Sequence, residues 1–439
     1  MLILLSSFRL LAQEELMLHS MPDVWHSTTT NPAFFPENKK FILGLPGIAI
    51  DAAHSGDITY RDIFVKEGDR TILNFSNVID RLDVTNDAYF DQRNEIVHLG
   101  FRLPKNIMLQ AGYANRLSGI IVYPKSLPEL LWKGNGPYVG QTLDIGLQAD
   151  VADWNEWSIG LAKKFNAITV GVRGKLLTGV SSLLTDPLHK NASVFTSPDI
   201  YQLTLQTDYG FHSASIISSI DTSELGFDLK QSDIKRKLFS KNIGSAFDIG
   251  VTIKLNKRLT IDASVLDLGG RIKWDSKANY FLSQGSYSYD GQIFPGTDII
   301  NGGDSLDFNT KLDTLNDIFN FEKTESSFTT QLPLRGYFGV SYQFGKQWLF
   351  GVSGYFTHRA ADNKNTYSLG GSARWKPMRW LSLGAMYSIN RRSAANIGFH
   401  LVLQPGPVQL FFASDNLLNA FSVKNTPAVN LRAGISLML

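Results

Sequence analysis

The sequence contains no cysteine. Thiolate metal sites, thiol nucleophiles and disulfides are therefore excluded. Long hydrophobic runs are missing too. The longest apolar stretch falls far short of the ~20 residues that a membrane helix needs. Charge of one sign is scarce: 42 Lys and Arg stand against 40 Asp and Glu, a formal net charge of +2 that gives no sign of a nucleic-acid partner. No repeat longer than a hairpin and no linker-like boundary is visible. A soluble chain of 439 residues would usually split into domains. A large barrel is the exception, because strands and loops use up residues without building a second core. Mean hydropathy is −0.08, which suits an alternating barrel and a large soluble β-protein equally.

What the chain has is alternation. From Leu334 to Leu439, apolar and polar residues exchange places in blocks of about ten separated by turn residues, the period-2 signature of β-strands. Leu334, Gly336, Phe338, Val340, Tyr342 and Phe344 share one face, and Arg335, Tyr337, Gly339, Ser341 and Gln343 the other. The last block sets Leu431, Ala433, Ile435, Leu437 and Leu439 against Asn430, Arg432, Gly434 and Ser436. Long strands with one greasy face and one polar face point to an all-β fold, a transmembrane antiparallel β-barrel with lipid outside and a polar lumen. The 37 glycines and 28 phenylalanines suit tight strand packing and interfacial girdles.

Residues 1–13 read as the apolar core and cleavage region of a secretory signal, without a basic n-region and interrupted by Arg9. A polar segment, 14–40, follows as a plug or periplasmic segment. The barrel then occupies 41–439. Strands are expected near 41–50, 95–103, 107–114, 117–123, 141–150, 157–165, 167–177, 198–208, 212–219, 245–255, 259–272, 334–344, 347–357, 366–376, 380–390, 394–404, 408–415 and 430–439, with 117–123 and 212–219 the weakest. The count is 14 to 18, and even.

Outer-membrane barrels have short periplasmic turns and long external loops. Walking back from the last strand puts 404–407, 376–379, 345–346, 256–258 and 166 on the periplasmic side. The long segments 52–94, 178–197, 220–244, 273–333, 358–365 and 416–429 fall outside. Two connections resist this sorting: Asn115-Arg116 makes a short external turn, and 124–140 a long periplasmic one.

Charges in these strands fall mostly on the inward register: Arg102, Asp144, Arg173, Lys175, Asp248, Lys254, Asp262, Arg335, Arg374 and Arg432. A Lys or Arg facing lipid at mid-bilayer costs roughly 2–4 kcal/mol, so this placement is the one a barrel requires. Lys163 is the outward exception, close enough to a strand end to snorkel. Tyr113, Phe165, Phe247, Tyr342, Phe344 and Trp375 sit outward where girdles belong. The inward charges either line an aqueous path or pair within a filled lumen, and the bulky inward Tyr337, Met386 and Met438 favour the filled one.

No catalytic constellation emerges. The eight histidines have no metal-ligand spacing, and His98 and His400 read as lumen fillers. Gly351-Val-Ser353-Gly and Gly370-Gly-Ser372 only look like a nucleophile elbow, and both lie inside strands. The Asp-, Asn- and Gly-rich loop 290–304 fits no calcium-loop pattern and reads as a solvated external loop. No catalytic, cofactor or metal residue is assigned, and an enzymatic role has no positive support.

Three stretches carry a resemblance. Asn31-Pro32-Ala33, shortly before the first strand, resembles an element of the long-chain fatty-acid transporter superfamily of outer-membrane barrels. Val172–Val180 with Ser264–Trp274, and Ser414–Asn416 with Val429–Ile435, resemble an uncharacterised family of Bacteroidota outer-membrane proteins of unknown function, related to barrels of type IX secretion and gliding. The resemblance implies a fourteen-stranded barrel whose N-terminal segment folds into the lumen, with Asn31, Pro32 and Ala33 in that plug. It also implies location in the cell outer membrane, lipid and the barrel-assembly machinery as partners, and secretion-apparatus proteins as further candidates. The chain departs from many such barrels by ending in Leu439 rather than an aromatic residue. The expected role is passage of small hydrophobic or amphipathic compounds, with a structural or docking barrel of a surface apparatus as the alternative.

Overall fold

The computed structural model describes residues 16–34, 36, 39–55, 64–67, 70–73, 75–199, 201–215, 217–221, 224–227, 240–289, 319–359, 364–390, 396–416 and 428–439. The expected signal segment and the Asp-rich loop 290–304 lie outside them.

Fourteen strands form the wall: β1 (Phe41–His54), β2 (Thr85–Leu103), β3 (Ile107–Pro124), β4 (Gln148–Phe165), β5 (Ile168–Thr196), β6 (Ile243–Lys254), β7 (Leu259–Trp274), β8 (Leu334–Phe344), β9 (Trp348–Arg359), β10 (Lys364–Met378), β11 (Leu381–Asn390), β12 (Asn396–Leu403), β13 (Val408–Ser414) and β14 (Ala428–Met438). Each pairs antiparallel with the next, and β14 closes on β1 from Ile42↔Met438 to Ala53↔Ala428. Closure removes the unpaired edges that a bilayer would not tolerate.

Period-2 alternation decides which face is which. Outward positions such as Ile159, Phe247, Phe344, Tyr367, Leu369 and Ile389 are exposed and apolar, while the neighbours of each strand that face in are polar or small and buried. Phe101, Phe165, Tyr342, Phe344, Trp348 and Trp375 form an outward aromatic band near the short-turn end. Lys163 keeps its ammonium 4.8 Å from the Phe165 ring centroid in that band. The short turns use residues that tolerate a left-handed backbone: Lys105 and Asn106 (φ 60° and 55°), Asn166 (φ 49°) and Gly345 (φ 63°). Lys40 N–H donates to the Leu439 carbonyl at 2.8 Å, so the start of β1 and the end of β14 meet at this end.

The other end is built up. Strand β5 has 29 residues, roughly 95 Å at about 3.3 Å per residue, against the ~9–11 residues that cross a bilayer. Its first half pairs with β4 and β6. Its second half, Ser182–Thr196, carries a sheet of Leu203–Ala214, Ala278–Tyr289 and Glu322–Glu325, with Thr142–Asp144 on its other edge.

Several strand expectations are corrected. Residues 107–124 are one strand, not two, and 148–165 replaces the pair 141–150 and 157–165. The expected strands 198–208 and 212–219 are one strand of the extension, outside the wall. These changes bring the direct count from eighteen to fourteen. They also remove both awkward connections, since Asn115-Arg116 lies within β3 and the stretch after Pro124 emerges at the long-loop end.

Candidate functional site

The lumen is occupied by the chain's own N-terminal segment. Leu16–His19 form a helical turn, Trp25–Thr29 a 3-10 turn, and the chain then passes Asn31–Phe34 on its way to β1. Nearly every residue of this plug is buried. Its polar string can be buried because it satisfies itself. The hydroxyls of Ser27, Thr28, Thr29 and Thr30 each donate to the carbonyl three residues back, at 2.7, 2.8, 2.7 and 2.8 Å.

Glycines in the wall make the seat. A Cβ at Gly100 would come within 2.7 Å of Trp25 Cζ2, one at Gly47 or Gly434 within 2.8 Å of His26 Nε2, and one at Gly398 within 2.9 Å of Met17 Cε. Gly171 and Gly250 leave room in the same way for Asn31-Pro32. Trp25 Nε1 donates to the His98 carbonyl at 2.9 Å. Asn31 Oδ1 accepts the Ala33 N–H at 2.9 Å, and Gln110 Nε2 donates to the Pro32 carbonyl at 3.1 Å. On the opposite side, Leu16, Met17, Met21 and Val24 pack against inward Tyr337, Tyr355, Met386 and Phe411.

Above this seam lies a buried ionic layer. Asp267 is held by Arg335 (2.6 Å), Lys175 (2.7 Å) and Arg116 (3.3 Å). Lys175 also reaches Asp248 at 2.8 Å. Glu156 accepts from Arg93 at 3.1 Å, Arg116 lies 3.4 Å from Asp91, and Arg93 stands 3.8 Å from Glu95. Arg93, Arg116, Arg173, Lys175 and Arg335 are thus balanced by Asp91, Glu95, Glu156, Asp248 and Asp267. Balance matters, because a buried charge is tolerable only when paired. Trp154, Leu177, Ile272, Trp274 and Leu332 form an apolar layer beyond it.

Three plug residues make further polar contacts with the wall. His19 Nε2 lies 2.9 Å from Asp262, and His26 Nε2 lies 3.4 Å from Glu95. At the short-turn mouth Asp23 meets Lys376 (2.6 Å) and Arg374 (3.1 Å). The Arg374 guanidinium, with Lys376 beside it, holds the Asp23 carboxyl well below the usual carboxylate range.

The residues singled out from sequence fall as follows. Asn31, Pro32 and Ala33 are buried between plug and wall. Arg173 donates to the Thr28 carbonyl (2.6 Å) and to Gln110 (3.0 Å), with Asp248 at 3.5 Å. Asp248, Arg335 and Arg173 meet in the ionic layer through Lys175 and Asp267, whereas Asp262 faces His19. Arg432 bridges Asp51 (2.7 Å) and Asp415 (2.8 Å) on the far side. Arg374 stands apart at the mouth. Arg102 is half-buried at the short-turn end, donating to the carbonyls of Lys39 (2.8 Å) and Pro36.

One inward assignment is corrected: Asp144 belongs to the extension, where it is exposed and caps Gly146 N–H at 2.9 Å. Lys254 keeps the register of Asp248 but is exposed at the last residue of β6. Tyr113 is also misplaced as a strand-end girdle residue: β3 continues past it, and its hydroxyl donates to Asn155 at 3.0 Å. Sequence reasoning missed Arg93, Glu95, Arg116, Glu156 and the plug's own His19, Asp23 and His26. The signal was there in Asp91, Arg93 and Glu95, spaced by two, but the strand was begun at Glu95.

A family model described as "Family of unknown function (DUF5723)" matches residues 32–415. No curated protein sequence matches the chain. Among solved structures it is similar to the toluene transporter TbuX of Ralstonia pickettii, at 10% identity and TM-score 0.48, covering 95% of this chain and 94% of that one. It is also similar to the Pseudomonas putida toluene transporter TodX, at 10% identity and TM-score 0.44, with 94% and 91% covered. A Pseudomonas aeruginosa FadL homologue shows 12% identity and TM-score 0.42, with 93% and 91% covered.

Proposed function

The chain belongs to the DUF5723 family of unknown function, and we propose that it is an outer-membrane barrel that passes small hydrophobic or amphipathic compounds when its plug yields. The observation that carries this reading is the seam between plug and wall. Of the seven methionines in the chain, Met17, Met21, Met108, Met386 and Met438 are buried in the lumen. Unbranched thioether side chains repack around irregular apolar shapes at little cost. The plug is held only by packing, hydrogen bonds and ion pairs, since a chain without cysteine has no disulfide to lock it. The charge-balanced layer above offers a free ion no net attraction. A second apolar feature supports the same class of cargo: a groove of about 1150 Å³ runs over the lipid-facing wall beside Val265, Phe338, Phe356, Tyr367 and Leu369.

In this reading the chain is exported by its N-terminal signal, inserted by the barrel-assembly machinery and surrounded by outer-membrane lipid. The test is uptake of labelled small aromatic and long-chain amphiphilic compounds by cells whose lipopolysaccharide slows passive entry. Uptake rises with the chain present. Uptake equal to that of cells without it overturns the reading. The docking alternative, a barrel serving a Bacteroidota secretion or gliding apparatus, is favoured by one feature, the sheet that β5 carries beyond the membrane. Co-purification of a specific apparatus component that is lost on trimming that sheet supports it.

A further inference from the structure

The short-turn end of the barrel is charged with one sign. Its six turns, 104–106, 166–167, 255–258, 345–347, 379–380 and 404–407, together with the three residues on either side of each, hold ten Lys and Arg and no Asp or Glu. The whole chain is nearly balanced, 42 against 40, so the rest of it carries 32 Lys and Arg against 40 Asp and Glu. Asp23 of the plug reaches this end, and Arg374 and Lys376 already hold it.

Main-chain hydrogen bonds join four of these turns into one arc. Lys164 N–H donates to the Asn106 carbonyl (3.0 Å), Lys254 N–H to the Ala167 carbonyl (2.8 Å) and Gln343 N–H to the Arg258 carbonyl (2.7 Å). Lys105, Lys164, Lys254, Lys257, Arg258 and Lys346 therefore follow one another around the rim, and all but the half-buried Lys164 are exposed. Adjacent hairpin turns are two strand spacings apart, roughly 10 Å, close to one Debye length at physiological salt, so their fields overlap. The aromatic band lies directly inside the arc. The Lys163 ammonium is 4.8 Å from the Phe165 ring centroid, Arg258 Nη1 is 3.5 Å from the Tyr342 hydroxyl, and Phe344 opens the turn that carries Lys346. Outward aromatic side chains mark the boundary between hydrocarbon and headgroups, so cations just beyond them stand at the depth of lipid phosphates.

We propose that this arc binds the headgroups of anionic phospholipid in the membrane leaflet at the short-turn end. The inference goes beyond the passage of compounds and does not depend on it. Ammonium and guanidinium groups make charge-assisted hydrogen bonds to phosphate oxygens, and each Lys or Arg at a membrane surface strengthens association with anionic lipid about fivefold. Seven of the ten cations are Lys, the residue that interfaces between proteins disfavour. Apolar side chains are interspersed with them along the arc, Leu255 at 55% and Ile168 at 42% exposed. Long Lys stems beside exposed apolar groups suit a lipid surface rather than an acidic protein.

The test uses the full chain reconstituted in phosphatidylcholine vesicles with a trace of spin-labelled phosphatidylglycerol or spin-labelled phosphatidylcholine. The motionally restricted fraction of each label gives their relative association with the protein. Phosphatidylglycerol should be favoured about twofold or more, less than the fivefold of one cation because much of the lipid annulus lies outside the arc. The ratio should fall toward one at 0.5 M salt, on the order of ten times the ionic strength at which the arc's fields still overlap. The variant Lys105→Gln, Lys257→Gln, Lys346→Gln changes three exposed turn residues and should bring the ratio toward one at low salt. The variant Lys190→Gln, Lys241→Gln, Lys277→Gln removes as many exposed cations from the opposite end and should leave the ratio as in wild type. Heat-modifiable mobility confirms that both variants are folded. A ratio of one in wild type overturns the proposal, and an acidic protein that then co-purifies in a salt-sensitive way gives the arc to a protein partner instead. A ratio that the first variant leaves unchanged, or that both variants lower equally, overturns it as well.

Discussion

The backbone N–H of Met17 donates to the Asp415 carboxylate at 2.6 Å, across 398 residues of sequence. Asp415 in turn holds Arg432, which also takes Asp51 of β1, so one guanidinium links plug, first strand and last strand. Arg432 is 1% exposed. Replacing it with Met takes a paired guanidinium from two buried carboxylates, and removal of one partner from such a group costs about 3–5 kcal/mol. Arg432→Met should lower the urea midpoint of the lipid-refolded protein accordingly. Asp415→Asn, which keeps an acceptor for the Met17 N–H, should cost less. Equal midpoints for wild type and Arg432→Met would show that the bridge adds no stability.

The glycine seat predicts a position-specific effect. Gly100→Val drives side-chain atoms into the Trp25 indole, whereas Gly371→Ala meets nothing within 4 Å. The first should unseat the plug and open residues 16–34 to proteinase K, read by mass spectrometry. The second should leave the digestion pattern unchanged. Resistance of Gly100→Val equal to wild type would mean that the wall, not the plug, gives way.

How much of this was legible can be argued from one row of asparagines. Asn94 pairs with Asn115, and Asn115 with Asn155, across β2, β3 and β4 on the register opposite the lumen. The wall rises here past its apolar belt, so the outward face turns polar while the strands continue. Read as sequence, that loss of contrast looks like turns. The supposed turns erased Arg116 and Glu156, two members of the ionic layer. The last seven strands keep their apolar face throughout, and there the alternation gave faces and partners directly. The resemblance motifs were short, yet each holds a residue buried at an inward contact: Asn31 on Gly250, Lys175 on Asp267, and Asp415 on Arg432. The glycine seat was invisible in sequence, because a glycine needed for close approach looks like any other strand glycine.

The mouth contact between Asp23 and its two cations predicts a pH dependence. Asp23 lies on the plug, and its folded-state carboxyl is held below the ordinary value near 4 by Arg374 first and Lys376 next. A depressed carboxylate contributes stability that is fully present above the unfolded pKa and is lost as pH falls through the folded one. The Asp23 contribution to plug protection should therefore be flat from pH 7 down to about 4 and decline below that. The Asp23 side chain is 55% exposed, so the change is modest and salt-sensitive. Amide exchange of residues 16–34 between pH 3 and 6 measures it. Asp23→Asn should remove this component, and an identical acid profile in the variant would assign the loss to other titrating groups.

The balance of the ionic layer makes the sharpest claim about passage through the lumen. Lys175 lies 2.7 Å from Asp267 and 2.8 Å from Asp248, with Glu156 at 3.8 Å. Asp267 keeps Arg335 and Arg116 when Lys175 is lost, while Asp248 keeps only Arg173 at 3.5 Å among its ion pairs in the described residues. Lys175→Met therefore leaves a net negative charge centred on Asp248 in a low-dielectric layer, and a fixed charge of one sign selects counter-ions. In planar bilayers, any leak through Lys175→Met should be cation-selective, seen as a shifted reversal potential in a KCl gradient. The double variant Lys175→Met, Asp248→Asn restores neutrality and should return that potential toward the wild-type value. The pair separates electrostatics from damage to the wall, because a barrel loosened by repacking would leak more in the double variant without favouring either ion.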